Sequence, residues 1–254
     1  MAGVPATIRA LAADTRSGAS EIAERAAEAL CVITPDELPD AVAALVGGHP
    51  SMAPLWRLAS EAMYAPSPSI GASRFLEALA EDRRGPPTLA PHLPERILTI
   101  SWSSGVAETL RLRRPETVLC MVSEPGGEGS RAMRSLSDVC DARLVDDLRA
   151  IREVRADAVL VGADAVAPDH IVNKMKTRAL CEAASGRGIP SYAVGGRTKL
   201  VDVTLPLSGP FERVPLELVS AVVVGDALLG PVAVRAAAEA APLHPALRRL
   251  LPDR

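Results

Sequence analysis

From Arg96 onward, short apolar runs alternate with segments of helical character, and this alternation limits the fold more than any other feature of the sequence. "RILTIS" precedes "SGVAETLRLRR", "ETVLCMVSE" precedes "GSRAMRSLSDVCD", and "DAVLVGAD" precedes "NKMKTRALCEAASGRG". Alternating strand and helix units form a parallel sheet with helices on both faces. The sequence therefore predicts an α/β fold with a Rossmann-like parallel-sheet domain.

The first part of the chain follows a different pattern, because its apolar residues recur at helical spacing and no convincing strand is visible. "SEIAERAAEALCVI" predicts one of these helices, with Ser20 as its N-cap. "GPPTLAPHLPE", with four prolines in eleven residues, predicts a linker or a crossover. We therefore expect an N-terminal helical domain over residues 1–90 and the α/β domain over residues 91–254.

The composition argues against several functions. The formal net charge is -3 and aromatic residues make up only 2% of the chain. A general nucleic-acid binder needs a basic surface and rings on which bases stack, so nucleic acid is not an expected partner. No apolar run reaches the roughly 18–20 residues of a membrane-spanning helix, and the N-terminal segment lacks the pattern of a signal peptide.

The four cysteines and four histidines are dispersed along the chain, with no Cys-x-x-Cys pair. This spacing argues against a metal site or a disulfide framework, and it favours reduced thiols in a cytoplasmic protein. We expect no cofactor and no metal. Cys120 lies on a predicted strand, and we expect it to be a core residue.

In a parallel sheet of this kind, ligands bind at the carboxyl ends of the strands. The segments that follow the predicted strands are therefore candidate ligand-binding loops. They are Ser101–Gly105, Ser123–Arg131, Asp146–Asp147, Asp164–Lys174 and Gly195–Lys199.

The first two loops contain groups suited to an anion. Ser103, Ser104 and Gly105 open a predicted helix, where backbone amides can bind a phosphate; ordinary N-capping is the simpler explanation and the one that the residues alone favour. Glycines in the second loop allow close backbone approach, and Arg131 can bind an anion there, although a flexible surface turn has the same composition.

The later loops carry an acid and two polar residues. Asp164 at a strand end can act as a general base or bind sugar hydroxyls, and the simpler alternative is a local cap. Asn173 and Lys174 follow it and are expected to begin the next helix. A structural ion pair between Lys174 and Asp164 or Asp146 is the alternative to ligand binding. Thr198 and Lys199 also fit a solvated polar turn.

Several segments together resemble one superfamily. "VGAD", a short loop, "NK" and Thr177 resemble the hallmark of the methylthioribose-1-phosphate isomerases, the ribose-1,5-bisphosphate isomerases and the regulatory subunits of eukaryotic initiation factor 2B. "TRSGASEIAERAAEAL", "RILTISWSSG", "VSEPGGEGSRAM", "LVDD" and "FERVPLELV" resemble other segments of the family in the same order. The resemblance implies an N-terminal helical domain before a Rossmann-like domain, and a dimer or larger homo-oligomer.

The resemblance also implies a site. The isomerases convert an aldose 1-phosphate to a ketose 1-phosphate with a cysteine and an aspartate on opposite sides of the substrate. The aspartate corresponds to Asp164 and the cysteine to Ser101, so Asp164 and Ser101 are the candidate catalytic residues. The candidate substrate-binding residues are Arg16, Gly18, Ala19, Ser103, Ser104, Gly105, Arg131, Asn173, Lys174 and Lys199.

Departures from the isomerase pattern leave three functions open. A serine hydroxyl is a much weaker acid than a thiol and needs a partner base, and Ile100 replaces the neighbouring family histidine. One hypothesis is therefore an initiation factor 2B-like protein that binds a sugar phosphate or nucleotide phosphate without isomerising it. The second is an aldose-ketose isomerase of a phosphorylated ribose derivative with Asp164 as acid/base. The third is a non-catalytic assembly or regulatory subunit.

Overall fold

The computed structural model describes residues 4–252. Among these residues, all secondary-structure elements before the first strand are helices. These α-helices are α1 (Ala6–Ala12), α2 (Ala19–Leu30), α3 (Leu38–Gly48), α4 (Ala53–Tyr64), α5 (Pro68–Asp82) and α6 (Gly85–Leu89). Short 3-10 helices at Pro35–Glu37 and Ala90–His92 complete this region. Its core is apolar, with α2 contributing the buried Ile22, Ala26 and Leu30.

Two sequence predictions fail in this region. The N-cap of α2 is Gly18 rather than Ser20, and the Glu21 carboxylate accepts a hydrogen bond from the Gly18 amide at 3.2 Å. The proline-rich segment is not an irregular linker, because it forms α6 and the following 3-10 helix; only the crossover alternative agrees with a helical connection into β1. Proline lacks an N–H and is tolerated in the first turn of a helix, where no partner carbonyl precedes it.

From Arg96 the chain alternates between strands and helices, as the sequence predicts. The elements are β1 (Arg96–Thr99), α7 (Ser104–Arg113), β2 (Thr117–Met121), α8 (Gly129–Leu136), β3 (Asp141–Val145), α9 (Asp147–Glu153), β4 (Ala158–Gly162), β5 (Ala165–Val166), β6 (His170–Lys174), α10 (Thr177–Ser185), β7 (Ser191–Val194), β8 (Phe211–Pro215), β9 (Ala221–Val224), β10 (Ala227–Leu229), α11 (Pro231–Glu239) and α12 (Pro245–Arg248).

The main sheet has seven strands in the order β10-β9-β7-β4-β1-β2-β3. All neighbours are parallel except β9 and β10. The chain runs outward from β1 through β2 to β3 and then returns to β4 on the other side of β1. The strand order therefore reverses between β1 and β4, and open α/β sheets bind their ligands at this crevice.

Helices cover both faces of the sheet. Neighbouring residues of one strand point to opposite faces, so each of them contacts a different set of helices. Ile97 of β1 joins a core with residues of α6, α7 and α8, whereas Leu98 joins a core with residues of α9, α10 and α11. Both side chains are fully buried. The α/β fold with an N-terminal helical region is therefore confirmed.

A smaller antiparallel sheet, in the order β5-β6-β8, follows the end of β4. The sequence predicts a loop over Asp164–Lys174, with Asn173 and Lys174 at the start of a helix. Both residues instead end β6, and α10 begins only at Thr177. The reason is that β6 is buried along its whole length and pairs with β8, a partner about forty residues away.

The helical region packs directly on this second sheet. Trp56 of α4 belongs to the same apolar core as Val172 of β6 and Val201. The change from helices to alternating elements lies between His92 and Arg96, and the division into domains at residue 90 stays a prediction. Between residues 4 and 252, no helix combines the length and apolar character that crossing a bilayer requires.

Candidate functional site

A cavity of about 400 Å³ lies at the carboxyl ends of β1 and β4 and is covered by the segment that leads into α2. Eleven of the twelve residues expected from the sequence line it. They are Arg16, Gly18, Ala19, Ser101, Ser103, Ser104, Arg131, Asp164, Asn173, Lys174 and Lys199. The exception, Gly105, lines a neighbouring cavity of about 240 Å³ together with Ser104 and Lys199.

Asp164 stands two residues beyond β4 and is fixed through its backbone. Its amide donates a hydrogen bond to the Val172 carbonyl at 2.7 Å, and its carbonyl accepts one from the Ala53 amide at 2.9 Å. Burial raises the pKa of the Asp164 carboxyl to about 6, although the charges of Lys199 and Lys174 act to lower it. A carboxyl in this range exchanges protons near neutral pH.

Lys199 enters the cavity from the 3-10 helix Arg197–Lys199. Asp82 at the end of α5 holds this helix, since its carboxylate accepts hydrogen bonds from the amide of Arg197 at 2.5 Å and from the amide and hydroxyl of Thr198 at 3.1 and 2.6 Å. Burial lowers the pKa of Lys199, whereas the charges of Asp164 and Asp82 act to raise it. The buried Thr198 is thus a structural residue.

Lys174 is almost completely buried, and its ion-pair partner is neither Asp164 nor Asp146. Its ammonium group lies 2.6 Å from Oε1 of Glu128 and also donates to the carbonyl of Pro125. Sequence reasoning missed Glu128, which no local signal links to a residue 46 positions away.

Asn173 and the start of α10 are tied together beside this ion pair. The Asn173 amide donates to the hydroxyl of Thr177 at 3.1 Å, and that hydroxyl donates to the carbonyl of Lys174 at 2.6 Å. The two hydrogen bonds hold the end of β6 against the first residue of the helix.

Ser101 leaves β1 in a left-handed conformation, with φ 65°. Its backbone amide donates to the hydroxyl of Ser123 at 2.7 Å. Ser103 is the N-cap of α7, and its hydroxyl accepts the amide hydrogen of Val106 at 3.4 Å. The capping interpretation of Ser103 is therefore confirmed. Phosphate binding by this loop stays a prediction.

The start of α2 forms the exposed side of the cavity. The Glu21 carboxylate joins Gly18 to Arg131, because it accepts from the Gly18 amide at 3.2 Å and from the Arg131 guanidinium at 3.2 Å. The same guanidinium lies 4.4 Å from the centre of the Trp102 ring, in the position of a cation–π contact. Arg16 is exposed beside them and lines the same cavity.

Asp147 is a second residue that sequence reasoning missed. Its nearly buried carboxylate accepts the amide hydrogens of Ser123 at 2.8 Å and Glu124 at 3.0 Å and binds Lys176 at 2.6 Å. Burial acts to raise the pKa of Asp147, but these hydrogen bonds outweigh it and lower the pKa below its ordinary value. The adjacent Asp146 is only the N-cap of α9, so "LVDD" marks the position without distinguishing the two acids.

Cys120 does not supply the cysteine that the resemblance to the isomerases implies. It is fully buried in the core against α7 and α8, as expected, and burial raises the pKa of its thiol to about 12. Within residues 4–252, no group of three or more His, Cys, Asp or Glu side chains is arranged to hold a metal ion.

Solved structures share this fold. The translation initiation factor eIF-2B of Pyrococcus horikoshii OT3 is 24% identical, with a TM-score of 0.79 over 89% of this chain and 96% of that chain. The 5-methylthioribose 1-phosphate isomerase of the same organism is 18% identical, with a TM-score of 0.67 over 91% of this chain and 85% of that chain. A chain of the tetrameric eIF2B-beta2-delta2 complex of C. thermophilum is 14% identical, with a TM-score of 0.67 over 90% of this chain and 91% of that chain.

No curated protein sequence matches the chain closely enough to count as a relative. The sequence model of the initiation factor 2 subunit family, by contrast, matches residues 90–220. This match covers half of the chain and includes β1, β4 and the polar residues at their ends. The chain therefore belongs to the initiation factor 2 subunit family.

Proposed function

We propose that this chain binds a phosphorylated small molecule, either a sugar phosphate or a nucleotide phosphate, in the cavity at the ends of β1 and β4. The observation that carries the proposal is that an exposed arginine, Arg16, and an acid, Asp164, line the same cavity. Backbone amides at a helix start and an arginine suit a phosphate, and a carboxylate suits hydroxyl groups.

Binding without isomerisation is the form we favour. Among the described residues, the side chain of Ser101 has no hydrogen-bonded base, and only its backbone amide is engaged, by Ser123. A serine hydroxyl needs such a base to exchange protons near neutral pH. Trp102 also adds bulk directly beside it.

An aldose-ketose isomerase is the second candidate, and the pKa of Asp164 is the observation that favours it. A carboxyl with a pKa of about 6 is suited to general acid/base catalysis. If Asp164 acts as the base, the reaction rate increases as pH rises through about 6. This activity would be detected as conversion of a bound aldose 1-phosphate to its ketose.

We also propose a cytoplasmic homo-oligomer. The lack of a membrane-spanning helix in residues 4–252 is compatible with this location, and a structural neighbour comes from a tetrameric complex. In the remaining alternative, a non-catalytic assembly subunit, the oligomer would be the function and the cavity would bind no small molecule.

Thermal unfolding tests the proposal directly. The wild type and Asp164→Asn are melted with a panel of phosphorylated pentoses and nucleotides, with Asp138→Asn as the control. A ligand at about 100 times its dissociation constant stabilises a protein by about 2.7 kcal/mol. We expect one of these two classes of compound to stabilise the wild type and the control, and to stabilise Asp164→Asn less. Absence of a shift with every compound would refute small-molecule binding and favour the assembly subunit.

A further inference from the structure

The basic side chains of the cavity differ in solvent exposure between its rim and its inner wall. At the rim, Arg16 is exposed, and Arg131 is half-exposed in its pair with Glu21. On the inner wall, Lys174 and Lys199 retain only 3% and 9% of their accessible surface. A ligand therefore meets two different electrostatic environments along the cavity.

The inner wall is balanced in charge. Lys174 pairs with Glu128 at 2.6 Å, and Lys199 lies near enough to Asp164 for each charge to act on the other. Oε2 of Glu128 is buried and has no hydrogen-bond partner among the described residues. Lys174 thus has a paired carboxylate, whereas Lys199 has Asp164 as a counter-charge in the same cavity without a salt bridge between them. Two ammonium groups and two carboxylates line the wall, so it offers no excess positive charge to an anion.

The rim, by contrast, carries positive charge that is available to an anionic ligand. Among residues 4–252, no carboxylate forms a salt bridge with Arg16, whereas neighbouring Asp14 is taken by Arg25 and by the amides of Arg16 and Ser17. The pair between Arg131 and Glu21 is solvent-exposed, so it is weak and readily exchanged for another anion. One phosphate can be neutralised here.

We infer that the cavity selects ligands with one phosphate, held at the rim, and a neutral polyhydroxyl body against the inner wall, and that Glu128 excludes a second phosphate. This inference rests on the proposed function and specifies its ligand class. A phosphate on the inner wall would face the Glu128 carboxylate, and binding Lys174 would require breaking its existing part-buried pair with Glu128.

Two probes that differ only in the second phosphate test this inference. The dissociation constants of ribose 1-phosphate and ribose 1,5-bisphosphate are measured by calorimetry at fixed salt and pH 7.5. We expect the wild type to bind the monophosphate about tenfold more tightly. In Glu128→Gln, Lys174 loses its counter-charge, and we expect the preference to fall by about tenfold or reverse.

Two further variants separate charge from structure. Glu24→Gln removes a carboxylate that pairs with Arg83 outside this cavity, and it should keep the wild-type preference. The double variant Glu128→Gln with Lys174→Gln restores a balanced wall and leaves no unpaired buried charge. It should therefore return towards the wild-type preference for one phosphate.

The outcomes distinguish this inference from the proposed function. If the wild type binds the bisphosphate as tightly as the monophosphate, the inference is overturned while phosphate binding stands, and this result needs no variant to fold. An unchanged preference in a folded Glu128→Gln also overturns the role of Glu128. If the wild type binds neither probe nor any compound of the wider panel, both proposals fail.

Discussion

The ammonium group of Lys176 lies 2.6 Å from Oδ2 of Asp147, whose carboxylate also binds the start of the segment that carries Glu128 and Arg131. Lys176 adopts φ 77°, a left-handed conformation that costs a non-glycine residue roughly 1–3 kcal/mol. The ion pair gives a physical reason for a lysine at this position. Together with the amides of Ser123 and Glu124, it supplies hydrogen bonds to both oxygens of a buried carboxylate.

Removing this carboxylate should destabilise the protein. In Asp147→Ala, the amides of Ser123 and Glu124 lose their partner in a largely buried setting, and Lys176 loses its counter-charge. We expect the free energy of unfolding to fall by about 2–4 kcal/mol in urea denaturation. Asp146→Ala is the matched control, and loss of its N-cap should cost only about 1 kcal/mol. Equal losses in the two variants would contradict the central role of Asp147.

Asp164 should make stability depend on pH. Because its pKa is raised to about 6, the folded chain binds the proton more tightly than the unfolded chain does. This carboxyl therefore stabilises the fold below about pH 4, and the stabilisation is lost as pH rises through 6. From pH 4 to pH 7, the free energy of unfolding of the wild type should fall by about 2 kcal/mol relative to Asp164→Asn. Parallel pH profiles of the two proteins would contradict the raised pKa.

Arg16 should contribute to ligand affinity and little to stability. Its side chain is exposed at the cavity, and a hydrogen bond to a charged group contributes about 1.5–3 kcal/mol. We expect Arg16→Ala to weaken binding of a stabilising phosphorylated ligand by roughly tenfold to a hundredfold, with an unchanged melting temperature in the free state. Arg74→Ala, on the exposed side of α5, is the control and should bind as the wild type does. A similar affinity loss in both variants would indicate a general charge effect.

Gly162 at the end of β4 has no room for a side chain. A Cβ there would lie 2.9 Å from Cβ of Ser103 and 3.0 Å from its hydroxyl. Gly162→Ala should therefore displace the N-cap of α7 and lower the free energy of unfolding by about 1–3 kcal/mol. Gly47→Ala is the comparison, because nothing lies within 4 Å of its added Cβ, and it should stabilise α3 by about 0.5 kcal/mol. Urea denaturation of both variants measures the difference.

The parts of the fold that follow from local sequence could be predicted, and those set by distant pairing could not. The runs around β1 and β4 carry their strand signal within a few residues, so the site at their ends follows from topology. The strand β6 depends on pairing with β8, and Lys174 on Glu128, which lies 46 residues away. A polar residue's partner across such a separation leaves no periodic trace in the sequence.

The hydrogen bond from the Ala53 amide to the Asp164 carbonyl, at 2.9 Å, makes the helical region part of the site's framework. Ala53 is the first residue of α4, so the backbone that carries the acidic side chain is anchored to a helix from the other half of the chain. A fragment of residues 91–254 would keep all ten strands described above and still lack this anchor. The N-terminal helices are accordingly not a detachable accessory, and insertions or fusions that shift α4 would misplace the carboxylate without changing any residue of the sheet.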